Sequence, residues 1–287
     1  MRLVSYKRND QILPGLLSEP AAGIFPLEKI GYTSALAFIS AGEASWEAAA
    51  GRAKSADTAE LFPLSDVTLV APLPRPGKFL CIGVNYRDHS TETKLALPSV
   101  PEVFAKFTNS IIGDGATIEI PAATKQPDYE AELAVVIGKT CRRVAAEDWQ
   151  QFVFGYTIVN DVSARDVQFA TSQWSMGKSF DTFGPIGPSI VTKDEIPDPH
   201  TLQIKLSIDG EVLQNSNTNQ LIFNVPRLIA YISSIITLDP GDIISTGTPA
   251  GVGFGRKPQR WLRPGETMRT SIEGIGELRN PIVAGRD

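Results

Sequence analysis

Glu130 and Glu132 stand one residue apart at the mouth of an apolar run, in PDYEAELAVVIGK (127–139). In a strand, residues i and i+2 point to one face, so the two carboxylates share a side, with Ala134 and Val136 continuing it inward. Two like charges taken out of water cannot both stay ionised without compensation: one takes up a proton or a cation binds. A third acid, Asp161, closes another apolar strand, FVFGYTIVND. Three carboxylates with no histidine or cysteine beside them suit a hard cation, Mg²⁺, Mn²⁺ or Ca²⁺, rather than zinc. The alternative at this level is a set of surface acids paired with Lys139 or Arg165.

A second cluster is VNYRDHSTET (84–93), which holds His89, one of only two histidines in the chain. If HSTE forms one helical turn, His89 and Glu92 are i, i+3 neighbours. A glutamate so placed orients the ring and raises its basicity, giving a base able to activate water; the alternative is a solvent-facing loop histidine. His200, among prolines and acids, shows no such partner and reads as surface. Lys178 lies in MGKSFDTFGPIGP, a glycine- and aromatic-rich loop. Its GKS is not a phosphate loop, because Ser172 stands where the upstream glycine is required. In STGTPAGVGFG (245–255), backbone amides around Thr246 and Thr248 can cradle a carboxylate. That stretch lacks G-x-G-x-x-G spacing, and no G-x-S-x-G occurs to suggest a serine hydrolase of the α/β type.

These residues need a scaffold, and the totals supply one. The 287 residues are 42% hydrophobic and 21% charged, ample for a core. A net charge of −5 with no basic run argues against nucleic-acid or membrane partners. Cys81 and Cys141 sit in apolar stretches and read as buried thiols, which fits a reducing compartment. The N-terminus is too polar for a signal peptide and no apolar run approaches ~18 residues, so a cytoplasmic location is expected.

Residues 1–70 differ in texture, with short strands in MRLVSY and ILPGLLS and an alanine-rich helix in SWEAAAGRAKSADTAEL. The proline-rich APLPRPGK (71–78) reads as a linker, which divides the chain into a small N-terminal domain, 1–70, and a catalytic domain, 71–287. Beyond it strands dominate, and Asp209-Gly210 between two alternating runs predicts a hairpin. In NVPRLIAYISSIITLDPGD, apolar residues at Val225, Leu228, Ile229, Ile232, Ile235 and Ile236 predict a helix stopped by Asp239-Pro240-Gly241. A second hairpin closes around Gly274-Ile275-Gly276. The class is α+β, β-rich, with a mixed or antiparallel sheet.

In family order, GVNYRDHSTET, DYEAELAVVIGK, GYTIVNDVSARDVQ, GKSFDTFGPIGP and DPGDIISTGTPAGVG resemble the fumarylacetoacetate hydrolase family over roughly 75–283. The resemblance implies a mixed β-roll, usually a homodimer. It implies Glu130, Glu132 and Asp161 as ligands of Mg²⁺, or of Mn²⁺ or Ca²⁺, and His89 with Glu92 as a water-activating dyad. Lys178 corresponds to the lysine beside the metal, and Gln168, Thr248, Arg87 and Tyr86 to substrate contacts. Some members carry a further ligating aspartate upstream of the histidine, where this chain reads FLCIGVNY; three protein carboxylates are therefore expected. The implied activity is metal-dependent hydrolysis of a carbon–carbon bond in a 1,3-diketo acid of the acylpyruvate or fumarylacetoacetate type, through an enolate. The alternative is a decarboxylase, isomerase or hydratase of 2-oxo acids such as oxaloacetate. A third reading, a non-catalytic binder, leaves His89 and Glu92 without a purpose. The polar segment 87–100 is expected either to close over substrate or to form a fixed short helix.

Overall fold

The computed structural model describes residues 1–18, 23–93 and 97–285. Strands β1 (Arg2–Arg8) and β2 (Gln11–Ser18) pair as a hairpin, with β3 (Gly23–Pro26) added alongside β2. Helix α1 (Ala35–Ser40) starts where the Ser34 hydroxyl accepts the Ala37 amide, and the alanine-rich α2 (Glu43–Lys54) follows. Then come β4 (Phe79–Gly83), α3 (Arg87–Thr93), β5 (Glu102–Ala105), β6 (Ala131–Ile137) and β7 (Val153–Asn160). They are followed by β8 (Gly184–Thr192), β9 (Gln203–Ile208), β10 (Glu211–Asn217), α4 (Val225–Ile235), β11 (Ile243–Ser245), β12 (Thr267–Ile272) and β13 (Gly276–Ala284).

The main sheet runs β3-β2-β1-β8-β7-β6-β11-β4-β5, with only the β11–β4 pair parallel along that path. A second sheet runs β10-β9-β12-β13. This is the β-rich, mixed-sheet α+β architecture expected. The hairpin between β9 and β10 turns at Asp209 (φ 49°) and Gly210 (φ 89°), the two left-handed residues that a tight Asp-Gly turn requires.

Strand β6 is buried on both faces, and its period of two sends alternate residues into two cores. Leu133, Val135 and Ile137 join the core shared with β9, β12 and α4. Ala134 and Val136 join the core built with Leu3, Phe38 and Trp46 of the N-terminal segment. That segment also extends the main sheet, because Leu3 pairs with Ile190 of β8. The stretch 71–78 has no helix or strand, yet Ala71 and Leu73 are buried in the same core.

Two local expectations change. Helix α4 ends at Ile235, short of Asp239, with Ile236 in an extended conformation. Ile235 and Ile236 are exposed (58% and 38%), so the buried stripe ends at Ile232. His200 has partners after all: its ring lies 3.0 Å from Asp198 and accepts the Val225 amide at 3.3 Å, where α4 begins. The expected turn HSTE is helical within α3; of the segment 87–100, residues 94–96 lie outside the described residues. Both cysteines are buried free thiols.

Candidate active site

Pairing of β6 with β7 brings the acids together. Ala131 lies opposite Asn160, so the residues just beyond each end meet: the Asp161 amide donates to the Glu130 carbonyl at 2.9 Å. The Glu130 amide donates to the Asn160 side chain at 3.0 Å, which fixes the approach. One carboxylate oxygen from each of Glu130, Glu132 and Asp161 lies within 4.8 Å of the others, and all three residues are buried.

Buried cations face them. Lys178 Nζ donates to Glu130 at 2.7 Å and to Asp161 at 2.8 Å. Arg165 pairs with Glu130 at 2.6 Å and with Asp128 at 2.8 Å. Lys106 donates to Asp161 at 2.7 Å, to the Val162 carbonyl at 3.1 Å and to the Lys178 carbonyl. The alternative pairing with Arg165 is therefore real but internal, whereas Lys139 is exposed above the Phe152 ring. Burial opposes the Glu130 charge, but Lys178 and Arg165 outweigh it and hold the carboxyl at about 2. Burial likewise opposes the Lys178 charge, and Asp161 with Glu130 overcomes it, so the ammonium is held above its usual range. Among the described residues, no lysine or arginine is paired with Glu132. Burial first, then the charges of Asp161 and Glu130, push its carboxyl well above the ordinary range.

The glycine-rich loop after β11 does cradle carboxylates, but they are the protein's own. Ser245 Oγ (2.5 Å) and the Gly247 amide (2.9 Å) donate to Glu132 Oε2. The Gly251 amide donates to Glu92, and the Gly253 and Phe254 amides to Asp128. Gly247 has φ +98°, and a Cβ there would meet Asn85 Cβ at 2.8 Å, so glycine permits both the turn and the close approach. The amides of Gly247, Gly251, Gly253 and Phe254 are thus engaged by the protein's own carboxylates.

The acids open into a cavity of about 440 Å³, lined in part by His89, Glu130, Glu132, Gln168, Lys178 and Thr248. His89 Nδ1 lies 3.6 Å from Glu92 Oε2, an ion-pair separation longer than a hydrogen bond. Burial would raise the Glu92 carboxyl, but the His89 contact and the Gly251 amide prevail and lower it. Thr248 Oγ1 accepts from Gln214, leaving its hydroxyl proton available, and Gln168 Oε1 accepts from Arg165. Phe104 packs edge-on to Trp174 (5.5 Å) and Phe169 against Phe254 (5.3 Å) on the remaining walls.

Two expected substrate contacts lie elsewhere. Arg87 is exposed and donates to the Leu221 carbonyl at 2.9 Å, and Tyr86 is fully buried; neither lines this cavity. Conversely, Lys106, Asp128 and Gln214 were not picked out from the sequence. A lysine inside the apolar run VFAKF is the one signal that could have marked Lys106.

The donor set fits a hard divalent cation. It is all oxygen, it converges, and burial with two neighbouring acids opposes ionisation of Glu132, a cost that a bound cation would relieve. Glu130, Glu132 and Asp161 are the residues that would hold it.

A family model described as fumarylacetoacetate (FAA) hydrolase C-terminal matches residues 78–283. A Xenopus laevis protein described as a mitochondrial oxaloacetate tautomerase is 41% identical over 290 residues, covering 99% of this chain and 90% of the relative. A solved fumarylacetoacetate hydrolase from Exiguobacterium antarcticum superposes with a TM-score of 0.86 at 36% identity, covering 99% of both chains. A maleylpyruvate hydrolase from Sphingobium, solved with manganese(II) and pyruvate, does so at 0.84 and 31%, covering 100% of both. Among the described residues, no helix is long and apolar enough to cross a membrane.

Proposed function

This chain belongs to the fumarylacetoacetate hydrolase family, and from that membership we propose that it is an enzyme interconverting the keto and enol forms of a small 2-oxo acid of the oxaloacetate type. The observation that carries the reading is that His89, the Lys178 ammonium, Glu130 and Glu132 line one cavity, with Asp161 buried directly behind Lys178 and within reach of both glutamates. The resemblance to an oxaloacetate tautomerase over nearly the whole chain supports the substrate class. When bound, a divalent cation would supply Lewis-acid withdrawal of charge from the 2-oxo group.

The chain's own residues would do the rest. Lys178, held protonated by Asp161 and Glu130, presents a fixed positive charge to the oxygen on which negative charge develops. Thr248 offers its hydroxyl proton and Gln168 its amide NH₂ to the substrate's acid end. His89 takes the proton from the carbon beside the carbonyl and returns it to the enol oxygen; the reverse transfer runs the other way. Glu92, pinned by the Gly251 amide, sets a counter-charge beside the imidazolium formed in between. The aromatic walls limit the water that would compete for that proton.

Hydrolysis of a 1,3-diketo acid is the second reading. It is favoured by the His89–Glu92 pair, which suits activation of water, and by the likeness to the maleylpyruvate hydrolase. The test is a side-by-side assay with Mg²⁺. Enol-oxaloacetate should convert to the keto form with no pyruvate released. Cleavage of an acylpyruvate into two acids, with no effect on the enol, would replace the first reading by the second. Inertness toward both would overturn the two together.

A further inference from the structure

Lys106 is a fully buried cation beside the acid cluster. Its side chain is 0% exposed, and its three N–H donors are committed to Asp161, to the Val162 carbonyl and to the Lys178 carbonyl. Its backbone is tied as well: just beyond the end of β5, the Lys106 amide donates a hydrogen bond to the carbonyl of Phe79, the first residue of β4, at 3.0 Å. It does not line the cavity, so it cannot touch a substrate there and acts only through Asp161.

Its charge matters because the cluster around it is nearly balanced. Four buried carboxylates, Asp128, Glu130, Glu132 and Asp161, face three buried cations, Lys106, Arg165 and Lys178. With all of them ionised, one negative charge is left over. A divalent cation entering alone would turn that deficit into a buried positive surplus, which the low-dielectric interior resists. An anionic ligand arriving with the cation restores balance. Without Lys106 the cluster would already carry the two negative charges that a divalent cation needs.

We propose that Lys106 is an internal counter-ion that keeps the three-carboxylate site weak for a divalent cation until an anionic 2-oxo acid binds, so that metal and substrate load together. The inference rests on Glu130, Glu132 and Asp161 being cation ligands. By linkage, whatever factor the anion adds to metal affinity, the metal adds to anion affinity. Lys106 is on this account a positioning residue. Conversion of substrate is not needed to detect its effect.

The experiment titrates Mn²⁺ into the intact protein, with and without oxalate, a planar dianion shaped like the enolate of a 2-oxo acid. The wild type, Lys106→Gln, Lys106→Met and Lys106→Arg are compared. Oxalate should tighten Mn²⁺ binding to the wild type by about tenfold or more. In Lys106→Gln and Lys106→Met, Mn²⁺ alone should bind about ten- to a hundredfold more tightly, and the oxalate gain should shrink. Lys106→Arg should restore the wild-type pattern. Chelation by oxalate without charge coupling would leave the gain unchanged in the neutral variants, and that result overturns the proposal. If the neutral variants do not fold, the wild type decides by comparison with oxamate, the near-isosteric monoanion. An equal gain from both anions overturns the proposal; a larger gain from oxalate supports it. Absence of Mn²⁺ binding under every condition has a different signature and would remove the ligand assignment on which the inference stands.

Discussion

The two ends of β6 are buried by opposite means. Toward its C-terminal end, Ala134 and Val136 face Trp46, Phe38 and Phe154, an apolar core with Trp46 edge-on to Phe154 at 4.8 Å. The Trp46 indole N–H is shared by the Phe38 and Ile39 carbonyls. At the other end, on the same face, seven charged side chains are buried: Lys106, Asp128, Glu130, Glu132, Asp161, Arg165 and Lys178. Apolar burial stabilises by itself, whereas buried ion pairs commonly do no better than well-packed apolar residues of the same volume. A chain that uses both along one strand keeps the charged end for chemistry.

That contrast makes separable predictions. The largest effect is on catalysis at the charged end. His89→Ala should lower turnover by about 10²–10⁴-fold while leaving Mn²⁺ affinity and thermal stability near wild type. Steady-state rates with parallel Mn²⁺ titrations check it, and wild-type turnover would remove His89 from the mechanism. At the apolar end, Trp46→Ala should cost about 3–5 kcal/mol of stability, measured by denaturant unfolding, with activity per folded molecule retained. A large loss of Mn²⁺ affinity in this variant would blur the distinction between the two ends.

Glu132→Gln should behave unlike an ordinary core substitution. Removing a carboxyl that burial and two neighbouring acids hold above its usual range should leave metal-free stability at neutral pH unchanged or about 1 kcal/mol higher. The same variant should lose the thermal shift that Mn²⁺ gives the wild type. The smallest effect concerns acid. Glu92 is lowered in the folded protein, so its contribution is fully present above the ordinary carboxylate range and fades as pH falls through the folded value. Glu92→Gln should therefore flatten stability slightly on that acid limb and leave it unchanged in slope above neutrality.

The apolar end and much of the acid site could be read from the sequence because they follow short periods. Alternation placed Glu130 and Glu132 together, the i, i+3 step placed His89 beside Glu92, and Asp209-Gly210 marked its hairpin. What could not be read depends on partners far along the chain. The amides of Gly247, Gly251, Gly253 and Phe254 look ready for a ligand, but Glu132, Glu92 and Asp128 reach them from more than a hundred residues away. Arg87 sits two residues from His89, yet in a helix two residues are about 200° apart, so it faces Leu221 instead of the cavity. Lys106 shows in the sequence only as a lysine in the apolar run VFAKF; its role exists only once β5 is laid beside β4 and Asp161.

The most direct test is anomalous diffraction from a crystal grown with Mn²⁺ and oxalate. The account predicts one manganese peak bound by Glu130, Glu132 and Asp161, with Lys106 still on Asp161 and oxalate in the cavity beside His89. A cavity without that peak, with Lys178 still bridging Glu130 and Asp161, would contradict it.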